Sequence, residues 1–458
     1  MIKQRFFKTG AIRLLVAGLV LSAGVGTASG ADVKTLSFSR AQMTVRPDPL
    51  VAGICVHFGI GGEYNYVPET AATLIQDLGF DSFRDDLPWP SFDSPLARAD
   101  GPRPRRLFEF MKLTKATPLL ILGHSNPAVP GGVKPLTDPA GRAAYTDFAV
   151  RAAAATKAFN PTFEIWNEWN LTPGLRPPWL IGPGAAGDPR AAEHYAALAR
   201  ATIPALRAAE PGIRILSGVT GGDPDWSWTK AVVRDGALKD ANGLSVHLYN
   251  HCEPDVNTRN ATELADRVSS LQTALKGQTG AEVPIYITEF GWPTARRPCV
   301  ISRQAAADYS AQFLLWSAAT PWLKGAWIYQ LKDQGRNPDE IEDNFGLYDY
   351  DFRPKPAACA VREAVRLIKS SGGFRLERPF PDLFVLHATT SSGIRLIAWT
   401  TRADIKGELR FEGGAPRRAT ALCNLMGPMP EGRVRIGPEP IIIDVDAGAV
   451  RVGAALLP

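Results

Sequence analysis

From residue 50 to about residue 370 the chain alternates two kinds of apolar pattern. Short β-branched or wholly apolar runs at 51–58, 82–85, 118–122, 162–166, 213–218, 244–249, 284–288 and 325–331 predict strands buried on both faces. Between them lie longer stretches at helical spacing, including 68–78, 141–159, 191–209, 258–275, 303–318 and 356–370. Alternation of this kind favours parallel strands covered by helices, and eight strand–helix units predict an α/β fold closed into a (β/α)8 TIM barrel. Reactive side chains then belong at the C-terminal ends of the strands.

Beyond Gly372 and Gly373 the period changes to two. Runs at 384–389, 394–400, 408–411, 419–425 and 441–445 are separated by Gly, Pro and Asp, with no long helical pattern among them. They predict a small all-β sandwich. The expected organisation is therefore a barrel over 31–371 and a C-terminal β-sandwich over 372–458, preceded by a signal peptide over 1–30.

The signal peptide rests on four basic residues, Lys3, Arg5, Lys8 and Arg13, an apolar run at 14–25 and small residues at Ala28-Ser29-Gly30. The run is short for a bilayer span. Cleavage and export to the periplasm or medium are expected, an uncleaved anchor being the alternative. The formal charge of the chain is +5, and those four residues account for all but one of it. Arg103 to Arg106 is the one dense basic spot in the remainder, so the charge excludes a nucleic-acid partner. The composition, 45% hydrophobic and 21% charged, excludes disorder. The five cysteines have no metal-ligand spacing, so no metal is expected. Export permits disulfides, and Cys252 and Cys299, each just past a predicted strand end, are expected to pair.

Two strand ends carry the candidate chemistry. The fourth strand runs into Trp166-Asn167-Glu168-Trp169-Asn170, which sets a carboxyl group against indoles. An apolar wall raises a carboxyl pKa, as a general acid needs. The seventh strand delivers Glu289, followed by Phe290-Gly291-Trp292. Two carboxylates on separate strands of one barrel, flanked by aromatic rings, suit glycoside hydrolysis: one protonates the leaving oxygen and the other attacks the anomeric carbon. On the sixth strand Ser245, His247 and Tyr249 share one face.

Asn-Glu after the fourth strand and Glu after the seventh resemble clan A, the retaining barrel glycoside hydrolases. Within that clan the chain is most similar to family 39-like enzymes, including exopolysaccharide-associated endoglycosidases. The resemblance spans about 45–370 and is carried by 53–57, Ser82-Phe83-Arg84-Asp85-Asp86, Leu120-Ile121-Leu122-Gly123 with Ser125-Asn126-Pro127, and 342–348 before Lys355-Pro356. It implies Glu168 as acid/base and Glu289 as nucleophile, Asn167 as donor to the sugar 2-hydroxyl, and Tyr249, beside His247, as donor to Glu289. Arg84 either pairs with Glu289 or bridges to Glu164, and Trp327 either floors the sugar subsite or packs in the core. Trp169 stands where many relatives have Pro and, with Trp292, is expected at the substrate. Asn126 is a further expected binder, and His124 is either a subsite histidine or a turn residue.

The expected function is retaining cleavage of β-linked polysaccharide, without a cofactor, by a monomer with no membrane span once the signal is removed. Tyr64, Tyr66, Trp89, Trp169, Trp179, Trp226, Trp228 and Trp292 fall on strand-end loops, and an extended cleft lined by them would favour endo action. Alternatives are a catalytically silent glycan-binding protein and a transglycosylase on the same polymer.

Overall fold

A computed structural model describes residues 32–458 apart from 40–42, 61–63, 94–101, 172–186, 391–392, 413–415, 417, 424–431 and 446–449. The expected signal peptide and Trp179 lie outside the described residues. The first strand, β1 (Val33–Phe38), precedes an eight-stranded closed barrel. Its parallel strands are β2 (Val51–Cys55), β3 (Ser82–Pro88), β4 (Thr117–Gly123), β5 (Thr162–Ile165), β6 (Arg214–Thr220), β7 (Gly243–Leu248), β8 (Ile285–Phe290) and β9 (Leu323–Ile328). Each corresponds to one predicted run, because a strand buried on both faces reads as continuous apolar sequence.

The covering helices start where the sequence supplies caps. Asp138 accepts from the Ala140 amide ahead of Pro139–Thr156, Asn260 from Glu263 ahead of Ala261–Thr279, and Ser302 from Ala305 ahead of Arg303–Ala318. Among the described residues no helix is long and apolar enough to cross a membrane. Inside the barrel, one close approach requires a glycine. A Cβ on Gly53 would lie 2.1 Å from the Trp327 ring, which fills the lower part of the barrel together with Cys55, Leu119 and Leu216.

The β-domain is a two-sheet sandwich. One sheet has the order β1, β17 (Val450–Leu457), β13 (Lys406–Phe411), β15 (Arg433–Ile436). The other has the order β10 (Phe374–Phe380), β11 (Leu383–Thr390), β12 (Gly393–Thr400), β16 (Ile441–Val445), β14 (Arg418–Ala421). Phe38, Leu409 and Val452 from the first sheet meet Val385, Leu396 and Ile443 from the second in one apolar core. This corrects the expected boundary: β1 does not open the barrel domain. It runs antiparallel to β17 from Val33↔Ala455 to Phe38↔Val450, because burying Phe38 in the sandwich is favourable and the ladder pairs its backbone groups.

The opposite face of the second sheet packs on the barrel. Phe384, Leu386 and Trp399 join the core that includes Val361 and Val365 of the helix Pro356–Ser370. Gln312 donates to the carbonyls of Thr400 (3.1 Å) and Pro438 (2.7 Å). A Cys359–Cys423 disulfide, not foreseen in the sequence, joins that helix to the segment after β14. The expected Cys252–Cys299 bridge is present, with 5.1 Å between Cα atoms, and Cys55 is buried and free.

Candidate active site

At the C-terminal end of the barrel the strands deliver polar side chains into a small volume. Arg84, on β3 and almost without exposure, is the hub. Its Nε donates to Glu164 (2.7 Å), Nη1 to Glu289 (2.5 Å) and Nη2 to Asn167 Oδ1 (2.8 Å). Both sequence alternatives for Arg84 are therefore realised at once, since a guanidinium has donors enough to serve two carboxylates in one plane. Glu164 is also bonded by Ser245 Oγ at 2.6 Å, so the layer beneath the site is a satisfied polar network.

Glu289 stands near the end of β8. Its second oxygen accepts from the Tyr249 hydroxyl at 2.6 Å. A register shift between Val246 and His247 sets His247 opposite Glu289 rather than Thr288, a local irregularity that re-aims a side chain. Glu168 lies just past β5 on a strained turn: Trp166 and Glu168 have φ of 67° and 43°, in the left-handed region. Asn170 holds the turn by accepting from the Gly221 amide at 3.0 Å. A Cβ on Gly221 would sit 2.3 Å from Glu168 Oε1, so only glycine leaves room for this carboxylate.

His247 connects the two acids. Nδ1 is 2.9 Å from Glu168 Oε1 and 3.5 Å from Glu289 Oε2. Its Nε2 lies 3.2 Å from Arg84 Nη2. A guanidinium can only donate, so neutral His247 carries its proton on Nδ1, facing Glu168. Burial lowers the imidazole pKa, yet the charges of Glu289 and Glu168 and the bond to Glu168 raise it above its ordinary value, against Arg84. The reverse holds for Glu168. Burial raises its pKa, but the bond and charge of His247, with Arg84 and Lys134, hold it below the ordinary carboxyl value. The expectation that apolar walls alone would raise the Glu168 pKa is thus corrected: a histidine, not an indole, is its nearest polar neighbour.

These groups open into a cavity of about 410 Å³, within the usual size of small-molecule sites. One wall carries His124, whose Nε2 is 3.0 Å from Asp86, and the other carries Tyr329, Glu342 and Phe345. An oxygen of Glu168, a nitrogen of His247 and an oxygen of Glu289 lie within 4.8 Å of one another. Such a trio could ligate a cation, but Arg84 already places a positive charge against both Glu289 and His247. The arrangement suits a polar organic substrate better.

No family model and no curated protein matches the sequence. Solved structures do. A family 39 glycoside hydrolase from Bacteroides cellulosilyticus superposes with a TM-score of 0.66 at 21% identity, over 87% of this chain and 81% of that one. A monomeric β-xylosidase from Caulobacter crescentus gives 0.55 at 14%, over 92% and 98%. A family 30 endoxylanase from Clostridium papyrosolvens gives 0.53 at 11%, over 90% and 98%. The chain has the fold of the clan A glycoside hydrolases.

Of the residues singled out in the sequence, Glu168, Glu289, Asn167, Arg84, His247, Tyr249 and His124 meet at this site. Four others do not. Trp169 is fully buried behind the Glu168 turn, 4.9 Å from the Trp166 ring, with Lys134 over it. Trp292 donates to Asn250 and packs on Tyr309. Trp327 donates to Ser82 Oγ deep in the barrel, so it packs in the core and floors no subsite. Asn126 accepts from the Ala128 amide and shapes a turn.

Tyr66, Trp89, Trp226 and Trp228 are likewise at most 6% exposed, and of the expected cleft rings on described residues Tyr64 alone keeps partial exposure. Large rings on strand-end loops gain more by anchoring those loops than by facing water. The sequence reading missed Tyr329, Glu342 and His57 as cavity residues. Tyr329 could have been found, because it lies two residues beyond Trp327 and continues the same face past the end of β9.

Proposed function

We propose that the protein is a retaining glycoside hydrolase that cleaves β-glycosidic bonds of a polysaccharide outside the cytoplasm. The observation that carries the reading is the approach of Glu168 and Glu289, with oxygens within 4.8 Å. Retaining enzymes hold their carboxyl groups about 5 to 5.5 Å apart, whereas inverting enzymes leave about 6.5 to 9.5 Å for a water molecule.

Glu289 is the nucleophile. Arg84 and Tyr249 each donate to one of its oxygens, which holds and aims it. Glu168 is the acid/base. In its protonated form Glu168 gives its proton to the glycosidic oxygen as that bond breaks, and the His247 Nδ1–H, which donates to Oε1, stabilises the carboxylate that results. Glu289 bonds to the anomeric carbon in the same step. Glu168 then removes a proton from water as the water displaces Glu289, giving net retention. Arg84 holds Asn167 Oδ1, which turns the amide NH2 of Asn167 toward a sugar 2-hydroxyl.

Among the described residues the strand-end tryptophans are buried and add no sugar subsite, so the reading centres on the one cavity at Glu168 and Glu289, and endo action is part of what the test decides. The test is reducing-end release by the mature protein and its Glu289→Gln variant on a panel of β-linked polysaccharides, including the polymer secreted by the producing cell. Loss of the nucleophile is expected to lower turnover on the order of 10⁴-fold or more. Equal release by both proteins would remove Glu289 from this role, and release by neither would move weight to glycan binding.

A further inference from the structure

Glu289 stands on a strand, whereas Glu168 stands on a turn that other segments have to hold. It follows β5 where Trp166 and Glu168 have φ of 67° and 43°. Residues in the left-handed region persist only where their surroundings over-determine the backbone. Within the turn the Leu171 amide donates to the Glu168 carbonyl at 3.0 Å. From the end of β6, Gly221 grips Asn170, whose side chain accepts from its amide at 3.0 Å and donates to its carbonyl.

A second grip comes from the loop after β4. Lys134 is anchored there by its amide, which donates to Ser125 Oγ at 2.9 Å, and the Asn126 amide closes the same loop on the Gly132 carbonyl at 2.7 Å. Lys134 Nζ donates to the Leu171 carbonyl at 2.7 Å and stands 5.5 Å from the centre of the Trp169 ring. Trp169 and Leu171 flank Asn170, so Lys134 and Gly221 together hold three successive residues directly after Glu168.

Lys134 is buried, and one backbone carbonyl does not offset the cost of burying an ammonium. The charge of Glu168 opposes that cost, and Lys134 in turn favours ionised Glu168. Burial brings the ammonium down to about 8, so it is charged at neutral pH and below. The other charged groups around Glu168 have roles of their own. Arg84 from β3 is bonded to Glu164 and Glu289, and His247 from β7 is bonded to Glu168 itself. Glu289 from β8 and Glu342 beyond β9 present like charge, and His124 beyond β4 is paired with Asp86.

We propose that Lys134 is a positioning residue for the acid/base: its ammonium fixes the turn through Leu171 and Trp169 and supplies positive charge to Glu168. The proposal deepens the glycosidase reading and rests on it for the role of Glu168. As Glu168 gives up its proton, the carboxylate forms in the field of this ammonium, which favours the transfer. The hold on Leu171 keeps the carboxyl group within reach of the glycosidic oxygen.

The test compares the parent with Lys134→Met, which removes donor and charge, and Lys134→Gln, which keeps a donor without the charge. Phenyl and 2,4-dinitrophenyl β-glycosides of xylose, glucose and galactose report the acid step, because dinitrophenolate leaves without a proton and phenolate needs one. In Lys134→Met, kcat/KM is expected to fall about tenfold or more on the phenyl glycoside and no more than about twofold on the dinitrophenyl glycoside, with a smaller split in Lys134→Gln. Carbon-13 NMR of glutamate-labelled protein follows Glu168 without a substrate, its signal being the one missing from Glu168→Gln. Removing a cation raises a carboxyl pKa, so Glu168 is expected to titrate higher by about half a unit or more in both lysine variants. The reciprocal measurement needs no lysine variant: in Glu168→Gln one lysine, followed by nitrogen-15 NMR, is expected to titrate lower by a similar amount. Equal losses on the two leaving groups would make Lys134 a purely structural residue and overturn the proposal, as would an unmoved Glu168 signal or the lack of a lysine that responds to Glu168→Gln. The expected titrations with no cleavage of these glycosides or of the polysaccharide panel leave Lys134 as the partner of Glu168 and overturn the hydrolase reading instead.

Discussion

His247 at the barrel mouth and His387 in the β-sandwich are both shut away from water, yet they titrate in opposite directions. His387 lies on β11, with no partner for either ring nitrogen and the Phe38 ring 4.6 Å away. Burial, with Arg375, pushes its pKa down to about 4. His247 is as deeply buried, but Glu289 and Glu168 face it and its pKa rises. Burial removes the same stabilisation of the charged ring in both places, and what replaces the water decides the charge. The sandwich replaces it with hydrocarbon and makes a structural residue. The barrel replaces it with carboxylates and makes a donor held against Glu168.

The sharpest way to break this contrast is to remove the charge at the centre of the barrel site. Arg84→Met leaves Glu164 and Glu289 facing each other without their cation, and a loss of about 3–5 kcal/mol of stability is expected by urea denaturation, with activity lost as well. Unchanged stability would mean that the polar network is not held by Arg84. Next in size is the acid response of His387. Its folded pKa lies below the unfolded value near 6.5, so the unfolded state binds the proton first. The stability it contributes is present above pH 6.5 and is lost as pH falls toward 4. The loss is on the order of 3 kcal/mol, and His387→Leu should abolish that part of the acid destabilisation.

The smallest effect concerns His247. Its folded pKa is raised, so its stabilising charge is present below about 6.5 and is lost as pH rises through the folded value; Glu168, with a lowered pKa, loses its share as pH falls. The alkaline limb of kcat/KM then reports the proton of Glu168. In His247→Asn, which removes the imidazole that lowers the Glu168 pKa, the limb is expected to move to higher pH by about one unit. A limb that stays in place would assign the proton elsewhere.

Much of this site was legible because strand ends and side-chain period are local. Glu168, Glu289, Arg84 and Tyr249 each follow from a strand boundary and the rule that alternate residues share a face. Trp327 shows where that rule stops. It does face inward, but how deep an inward residue lies depends on how the eight strands are staggered, which no single strand encodes. The described rim tryptophans are buried for a related reason. A ring on a loop reads the same whether the loop turns it outward or folds it under.

What the sequence by itself determined is the set of elements: eight strand–helix units, a period-two tail, and the carboxylates at two strand ends. Hydrophobic spacing and capping act over a few residues, so they are written in order along the chain. Only the tertiary structure decided that β1 leaves the barrel to pair with β17 at the other end of the chain. It also decided that Cys359 reaches Cys423, and that Arg84 can serve Glu164 and Glu289 together. Each of these depends on contacts between distant segments, and the pKa directions of Glu168 and His247 depend in turn on those contacts. Charge and burial are properties of an assembled neighbourhood, and a linear sequence names the neighbours without placing them.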